Sequence, residues 1–471
     1  MSTKCNQRSF EFQVLGRRSV VGRFDGGKIT SDAGGLLLRE VEKRTGIVGG
    51  LAGCFRDERK ENWIEHSVEE LIRQRVYALA LGYEDLNDHD ELREDFLLAT
   101  LVEKEDPTGE TRVQERDRGK PLAGKSTLNR LELYLEGEQK DRYKKIAVDG
   151  EGVKRFLVKM FLESRRRVPE KIVLDLDATD DPLHGQQEGR FFHGYYKCYC
   201  YLPLYIFCEG FPLHAELRRS NIDASQGAVK ALKRIVGQIR KSWPEVKILI
   251  RGDSGFAREQ IMAWCEGNGV NYVLGLAKNP RLTRKIEEQL QQVQQQYEQT
   301  QASTRVFTEF EYRTLKTWTR SRRVVAKAEH LAKGSNPRFV VTSLSSQQGK
   351  ARRLYEEMYC ARGDMENRIK EQQLALFADR TSSTKMQANQ LRLWFSTVAY
   401  LLIHQLRRLG LKGTALSKAQ CDTIRLKLLK IGAQVKITVR RIVLSLASGY
   451  PYEQVFAQAY DNLSRAGPAP D

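Results

Sequence analysis

Val173–Asp181 reads VLDLDATDD, and the way this stretch is laid down decides how the rest of the chain is understood. Its first half has the period of a strand, with Ile172, Leu174 and Leu176 alternating with Val173, Asp175 and Asp177. That alternation puts Asp175 and Asp177 on one face, about 7 Å apart along the chain. Carboxylates so placed repel and raise each other's pKa unless they share a positive partner. The strand then runs into Thr179-Asp180-Asp181-Pro182, a turn-forming tail. Four aspartates in seven residues demand a cation, and the question is which of them meet it.

Working outward, the segment 195–217 (YYKCYCYLPLYIFCEGFPLHAEL) reads as two more strands turning at Gly210. An amphipathic helix is predicted over 223–240, then a short buried strand, KILIRGD (247–253), that ends in an acid. A helix over 257–268 and a strand through Tyr272-Val273-Leu274 follow. The order β-β-β-α-β-α-β is that of an RNase H-like α/β core, spanning roughly 170–280. Residues 281–350 interrupt it with a Gln-rich polar helix (281–302), an aromatic and basic alternation (304–328) and one further strand (337–344). Helix returns from about 352 to 375.

Residues 1–150 read as mostly helical. Ser67-Val68-Glu69-Glu70 fits a capping box that opens a helix running to Gly82. Residues 105–125 are charged and turn-rich, a loop, and a second helical run starts at Ser126 with Leu128, Leu131 and Leu133. Residues 381–471 read as helical at first and strongly basic across 425–441.

Composition narrows the partners. Lys and Arg number 78 against 60 Asp and Glu, a net charge of +18. Such an excess points to a polyanion, most often nucleic acid. Eight scattered cysteines with no C-x-x-C pair suit a reducing cytosol and offer no zinc site. Cys198 and Cys200 share a strand face and read as core thiols. The N-terminus lacks the apolar core of a signal peptide. The most apolar run, Leu393 to His404, is too short to span a bilayer. A cytoplasmic protein is expected.

Two further segments carry chemistry. Asp253 sits in RGDSGF (251–256), where the strand leaves the sheet and sites commonly open; taken alone it could equally cap the next helix. In YCARGDMENRIKE (359–371), Tyr359, Arg362, Glu366 and Lys370 fall within an arc of about 80° on a helix. Asp177, Asp253 and Glu366 would then supply three carboxylates from two strands and a helix. Such a set can hold paired Mg²⁺ ions for in-line displacement at phosphorus. Arg362, Lys370 and Tyr359 would hold the phosphate backbone beside them.

With DxT at 177–179, RGDSGF at 251–256 and Y-x2-R-x3-E at 359–366, the chain resembles the DDE transposases of bacterial insertion sequences, closest to transposase DDE domain group 1. DATDDPLHGQQEG, YCYLPLY, YCARGDMENRIKE and LLKIGA extend the resemblance over most of the chain. It implies Asp177, Asp253 and Glu366 as catalytic residues and ligands of Mg²⁺, with Mn²⁺ able to replace it. It also implies a β-rich insertion at 281–350 before the catalytic helix (351–380), and a DNA-binding N-terminal region whose helix 126–132 carries Arg130. The partners implied are the element's inverted-repeat ends and target DNA. Paired ends imply at least a homodimer in the working complex, on the nucleoid of a bacterial cytoplasm. One position departs: where the related signature has Lys seven residues past the Glu, this chain has Gln373.

Gly119–Ser126 satisfies G-x4-G-K-[ST], the phosphate-binding loop pattern, but it follows the hydrophilic GETRVQERDR rather than a buried strand. No nucleotide cofactor is expected. Asp175 is expected beneath the site, its charge tolerated through a hydrogen bond or through the nearby metals, and Asp180 and Asp181 are expected to lie in a solvated turn. Trp318, Arg320, Arg322 and Arg323 fit either a DNA-facing ribbon or an ordinary exposed hairpin. His184 and His193 form no metal-type pair. The rival functions are a metal nuclease of the same fold without strand transfer, and an inactive relic acting as a DNA-binding repressor.

Overall fold

The computed structural model of the chain describes residues 8–133, 135, 136 and 145–465. The leader-free reading of the N-terminus falls in part on residues 1–7, outside the described residues. The fold is mixed α/β. Contacts divide it into two compact units, one from Met1–Val148 with Val398–Gly467 and the other centred on Asp149–Thr397.

The second unit is built on one large mixed sheet. Its strands are β1 (Lys171–Ala178), β2 (Leu204–Cys208), β3 (Phe211–Glu216), β4 (Lys247–Gly252), β5 (Asn271–Leu276), β6 (Thr304–Tyr312), β7 (Arg322–Leu331), β8 (Gly334–Ser335) and β9 (Arg338–Thr342). They lie in the order β3-β2-β1-β4-β5-β9-β7-β6, with β8 paired to β7. Within this sheet the β-β-β-α-β-α-β order expected over 170–280 is found, with helices Ala228–Ser242 and Glu259–Gly267 between the last three strands. Asp181–Pro182, Phe191–His193 and Cys198–Tyr201 intervene after β1 as a separate small sheet.

Periodicity explains the helix before β4. Ala228, Ala231, Leu232, Ile235, Val236 and Ile239 recur at three- and four-residue steps and are all buried, while Lys230, Lys233 and Lys241 face outward. The parallel pair β1–β4 needs such a crossover, because parallel strands cannot be joined by a tight turn. The strands of 304–342 continue the same sheet: β9 pairs with β5 and β7 with β9.

In the first unit, Ser67 caps the helix Val68–Leu81 as expected. Its hydroxyl accepts the Glu70 amide at 3.1 Å, and the Glu70 carboxylate accepts the Ser67 amide at 2.8 Å. Gly82 ends that helix in the left-handed region, φ 100°. The start of the unit is not helical. Ser9–Leu15 and Arg18–Arg23 form an antiparallel hairpin, because Phe10, Phe12 and Val14 alternate with polar residues. Ala433–Thr438, inside the basic stretch, pairs with Arg441–Leu446 and with Ile29–Thr30. Among the described residues, no helix is long and apolar enough to cross a membrane.

Candidate active site

Asp177 lies one residue from the end of β1, and Asp253 follows the last residue of β4. These two strands are adjacent and parallel, with Gly252 opposite Leu176. Continuing that register by one residue sets Asp253 beside Asp177. Both acids thus leave the centre of the sheet at the carboxyl ends of neighbouring strands, where a crevice opens.

The chain reaches the third acid by an irregular route. Leu354–Tyr359 is π-helical, Cys360–Arg362 is a 3₁₀ turn, and regular α-helix occupies only Gly363–Lys370. Met365 and Ile369, four apart, are buried and seat this helix, which leaves Glu366 on its open side. Arg362 bridges back to the strands. Its guanidinium hydrogen-bonds the Glu366 carboxylate, and its Nη1 lies 3.7 Å from Asp177 Oδ2. Nη1 itself is buried without a hydrogen-bond partner.

The electrostatics follow from this crowding. Burial pushes the Asp177 carboxyl up to about 6; Arg362 opposes that rise, and the charges of Asp253 and Glu366 add to it. One guanidinium lies between Glu366, which it bonds, and Asp177, which it only approaches, while the nearby Asp253 accepts the Gly255 amide. Hard carboxylate oxygens of this kind suit a divalent cation such as Mg²⁺. Among the described residues, though, no three His, Cys, Asp or Glu side chains converge closely enough to hold a metal ion. In this form the guanidinium of Arg362 stands between two of the three candidate ligands.

Beneath the acids lies a second ionic contact. Asp175 is buried and directly opposite Arg251 across the β1–β4 pair. Arg251 donates to both its oxygens, Nε at 2.6 Å and Nη2 at 2.7 Å. Asp175 is hydrogen-bonded below the site, as its position one pleat deeper predicts.

The other residues separate. Tyr359 reaches the Asp253 turn because Gly275 on β5 has no side chain: a Cβ there would lie 2.5 Å from the Tyr359 hydroxyl and 3.0 Å from the Ser254 amide. Lys370 is exposed at the end of its helix, and no ion pair joins it to the acids among the described residues. Arg362, Glu366 and Lys370 keep the four-residue spacing of the arc, with Arg362 bonded to Glu366, while Tyr359 lies ahead of the 3₁₀ turn Cys360–Arg362 and off the regular helix. Gln373 donates to the Asp180 carbonyl at 3.0 Å, so the amide at that position ties the helix to the loop after Asp177. Arg130, in the first unit, is exposed on the helix Lys125–Glu132 and lines an open cavity with Arg93, Arg112, Arg116 and Lys120.

Several expectations are overturned. Asp181 is not in a solvated turn. Its backbone pairs with Tyr201, its side chain is 1% exposed, and neither oxygen has a hydrogen-bond partner. Burial, with the charges of Asp379 and Asp180 nearby, pushes its carboxyl well above the usual carboxylate range. The DNA-facing ribbon fails as well: Trp318 and Arg322 are buried, and Arg322 and Arg323 are ion-paired to glutamates. A hairpin is found, β6 paired with β7 and Arg320 exposed in the loop between them, but Trp318 and Arg322 are buried rather than on its surface.

The phosphate-loop pattern leads to something else. Residues 103–124 contain only a 3₁₀ turn, Glu115–Asp117, and Asp90 accepts both the Lys125 amide at 3.1 Å and its Nζ at 3.0 Å. The Lys125 charge is therefore already paired with a carboxylate of the chain itself. His184 is exposed, and the His193 ring packs on Tyr196, centroids 4.8 Å apart. Cys200 is buried and Cys198 half-buried.

Sequence reasoning assigned no role to Arg251, Gly275 or Tyr196. The Tyr196 hydroxyl donates to the Ala178 carbonyl at 3.3 Å, next to Asp177. Exposed aromatics flank it, Phe192, Tyr195 and Tyr199.

Carboxylates gathered from two central strands and a helix define the class: an α/β protein with an acid-lined site on its sheet. The chain belongs to the family transposase DDE domain group 1, which matches residues 12–468. A comparison with curated proteins returns no match. Among solved structures, the chain is similar to a piggyBac transposase synaptic complex with hairpin DNA, at 12% identity and a TM-score of 0.40. That likeness covers 85% of this chain and 80% of the other.

Proposed function

We propose that this chain is a DNA transposase that binds the inverted-repeat ends of its own element, cuts there, and joins the freed 3′-hydroxyl to target DNA. The observation that carries the reading is the gathering of Asp177 and Glu366 around Arg362, with Asp253 close enough to raise the Asp177 carboxyl. Membership of a DDE transposase family supports it. The β3-β2-β1-β4-β5 order of the central strands supports an RNase H-like core.

In this reading Asp177, Asp253 and Glu366 present carboxylate oxygens to Mg²⁺ or Mn²⁺. When bound, the cation supplies Lewis-acid charge at the scissile phosphate. Arg362 turns its planar fork from Glu366 to the non-bridging oxygens of that phosphate. The Tyr359 hydroxyl, seated over Gly275, holds the strand beside Asp253, and Lys370 meets the backbone farther along. Residues 1–150, with Arg130, grip the repeat, and 281–350 is the insertion ahead of the catalytic helix. Two ends cut together require at least two copies of the chain.

The test uses DNA carrying the inverted repeats that bound the gene. Glu366→Ala should abolish Mg²⁺-dependent cleavage while keeping DNA affinity, because the basic surface is untouched. Binding by both proteins should weaken steeply with salt as phosphate counterions are released. Full cleavage by the variant, or binding indifferent to salt, overturns the reading.

A further inference from the structure

We infer that Arg251 is the positioning residue of this site, a single guanidinium that fixes the three acid-bearing elements relative to one another. The inference rests on the assignment of Asp177, Asp253 and Glu366 proposed above.

Arg251 precedes Asp253 by two residues on β4, and its register partner Asp175 precedes Asp177 by two on β1. With side chains alternating along a strand, the Arg251–Asp175 pair sits one pleat below the two acids and on their face. The contact is bidentate, 2.6 and 2.7 Å, between side chains only 11% and 9% exposed. The remaining nitrogen, Nη1, donates at 2.8 Å to the backbone carbonyl of Met358. Met358 lies in the π-helical turn just ahead of the helix that carries Arg362 and Glu366.

That third bond is the important one. The approach to Glu366 is irregular, and the wide turn does not by itself fix the angle at which the helix leaves it. Leu354, Tyr355 and Met358 already seat the turn on Leu249, Val273 and Val340 through non-directional apolar contacts. A rigid fork with two edges on a strand carboxylate and the third on that turn adds the directional polar tie between helix and sheet. No hydrogen bond or ion pair joins Arg251 to Asp177, Asp253 or Glu366 among the described residues, so it acts through the elements and not on the substrate. A misplacement near 1 Å in such a site costs roughly 10²-fold in rate. Lysine keeps the charge but, as a point donor on a flexible stem, cannot hold all three contacts.

The experiment compares wild type, Arg251→Lys, and the double variant Asp175→Asn with Arg251→Gln. In the double variant two amides can satisfy each other across the strands while the bond to Met358 is gone. Each protein is measured for melting temperature, affinity for repeat-end DNA, cleavage rate at saturating DNA, and amide hydrogen exchange over 354–370. Arg251→Lys should keep DNA affinity within about threefold, lose on the order of 30-fold or more in saturated rate, and exchange faster over 354–370. The double variant should melt near wild type and remain slow. Recovery of rate together with melting temperature would show a packing role only and overturn the inference. Unchanged exchange over 354–370 in Arg251→Lys would overturn it too. If wild type cuts no repeat-end DNA, the proposed function falls, and the exchange measurement alone still decides whether Arg251 holds the helix.

Discussion

Two arginine–carboxylate clusters in the second unit use the same residue types to opposite effect. Around Arg322, Glu259 and Glu266 lie 2.6 and 2.7 Å from the guanidinium, and the Tyr272 hydroxyl donates to Glu266 at 2.7 Å. Arg322 holds Glu259 below its ordinary pKa; at Glu266 burial works upward, but Arg322 and Tyr272 outweigh it. Around Arg362 there are three acids and one half-used guanidinium, and Asp177 is pushed up to about 6. The first cluster is complete and joins β7 to the helix Glu259–Gly267. The second is short of positive charge, which suits the cation-binding role proposed for it.

The sharpest way to break the contrast is at Asp177. Asp177→Asn should lower the repeat-end cleavage rate by at least three orders of magnitude, about 4 kcal/mol of barrier. DNA affinity and melting temperature should be kept, since the amide fills the same space. A gel assay across a Mg²⁺ titration reads this directly. Asp175→Asn dead beside an active Asp177→Asn would reverse the roles of the two pleats.

Arg322→Ala should do the reverse. It leaves Glu259 without its cation and Glu266 with only the exposed Arg320, a loss of about 3 kcal/mol of folding stability. The cleavage rate per folded molecule should hardly move. Urea unfolding paired with active-site titration separates the two, and a stable but inactive Arg322→Ala would erase the distinction drawn here.

A subtler test is pH. The raised carboxyl of Asp177 binds its proton more tightly in the folded than in the unfolded chain. Its contribution therefore favours the fold at low pH and is lost as pH rises from about 4 to about 6, then stays constant. Without divalent cation, the melting temperature of wild type should fall over that window relative to Asp177→Asn. Parallel pH profiles for the two proteins would contradict the placement of Asp177.

The smallest effect is expected at Lys125. Lys125→Ala removes an exposed contact to Asp90, so cleavage should change by less than about twofold and stability by a few tenths of a kcal/mol. Calorimetry should find no ATP binding in either protein. ATP affinity abolished by the substitution would revive the nucleotide reading.

What could be read in the sequence was whatever depends on near neighbours. The alternation in Ile172–Asp177, the acid ending KILIRGD and the capping box at Ser67 are all local patterns, and each sits where its period puts it. Pairing between distant strands left no such mark. Arg251 stood in plain view in RGDSGF, yet its partner Asp175 is fixed only by the β1–β4 register. Asp181 looked like a turn residue until its pairing with Tyr201 carried it inside. The alternation around Trp318 misled for a related reason. Trp318 lies in the loop before β7, where its ring packs on Tyr312 and under Arg322, contacts that no local period reveals.

The order of the strands also bears on what an incomplete copy of the chain could do. β1 is made early, but Arg362 and Glu366 follow only after β9 has joined the sheet, and Ile29–Thr30 waits for Ala433–Thr438 before it has a neighbour. A chain halted before Glu366 carries two acids and no guanidinium between them. A chain halted before Ala433 leaves the first unit without the strand that closes on its beginning. Contacts of such long sequence separation form late and together. A frameshift or nonsense mutation anywhere before Glu366 therefore removes the third candidate acid, and one between Arg362 and Glu366 leaves the guanidinium without the carboxylate it bonds.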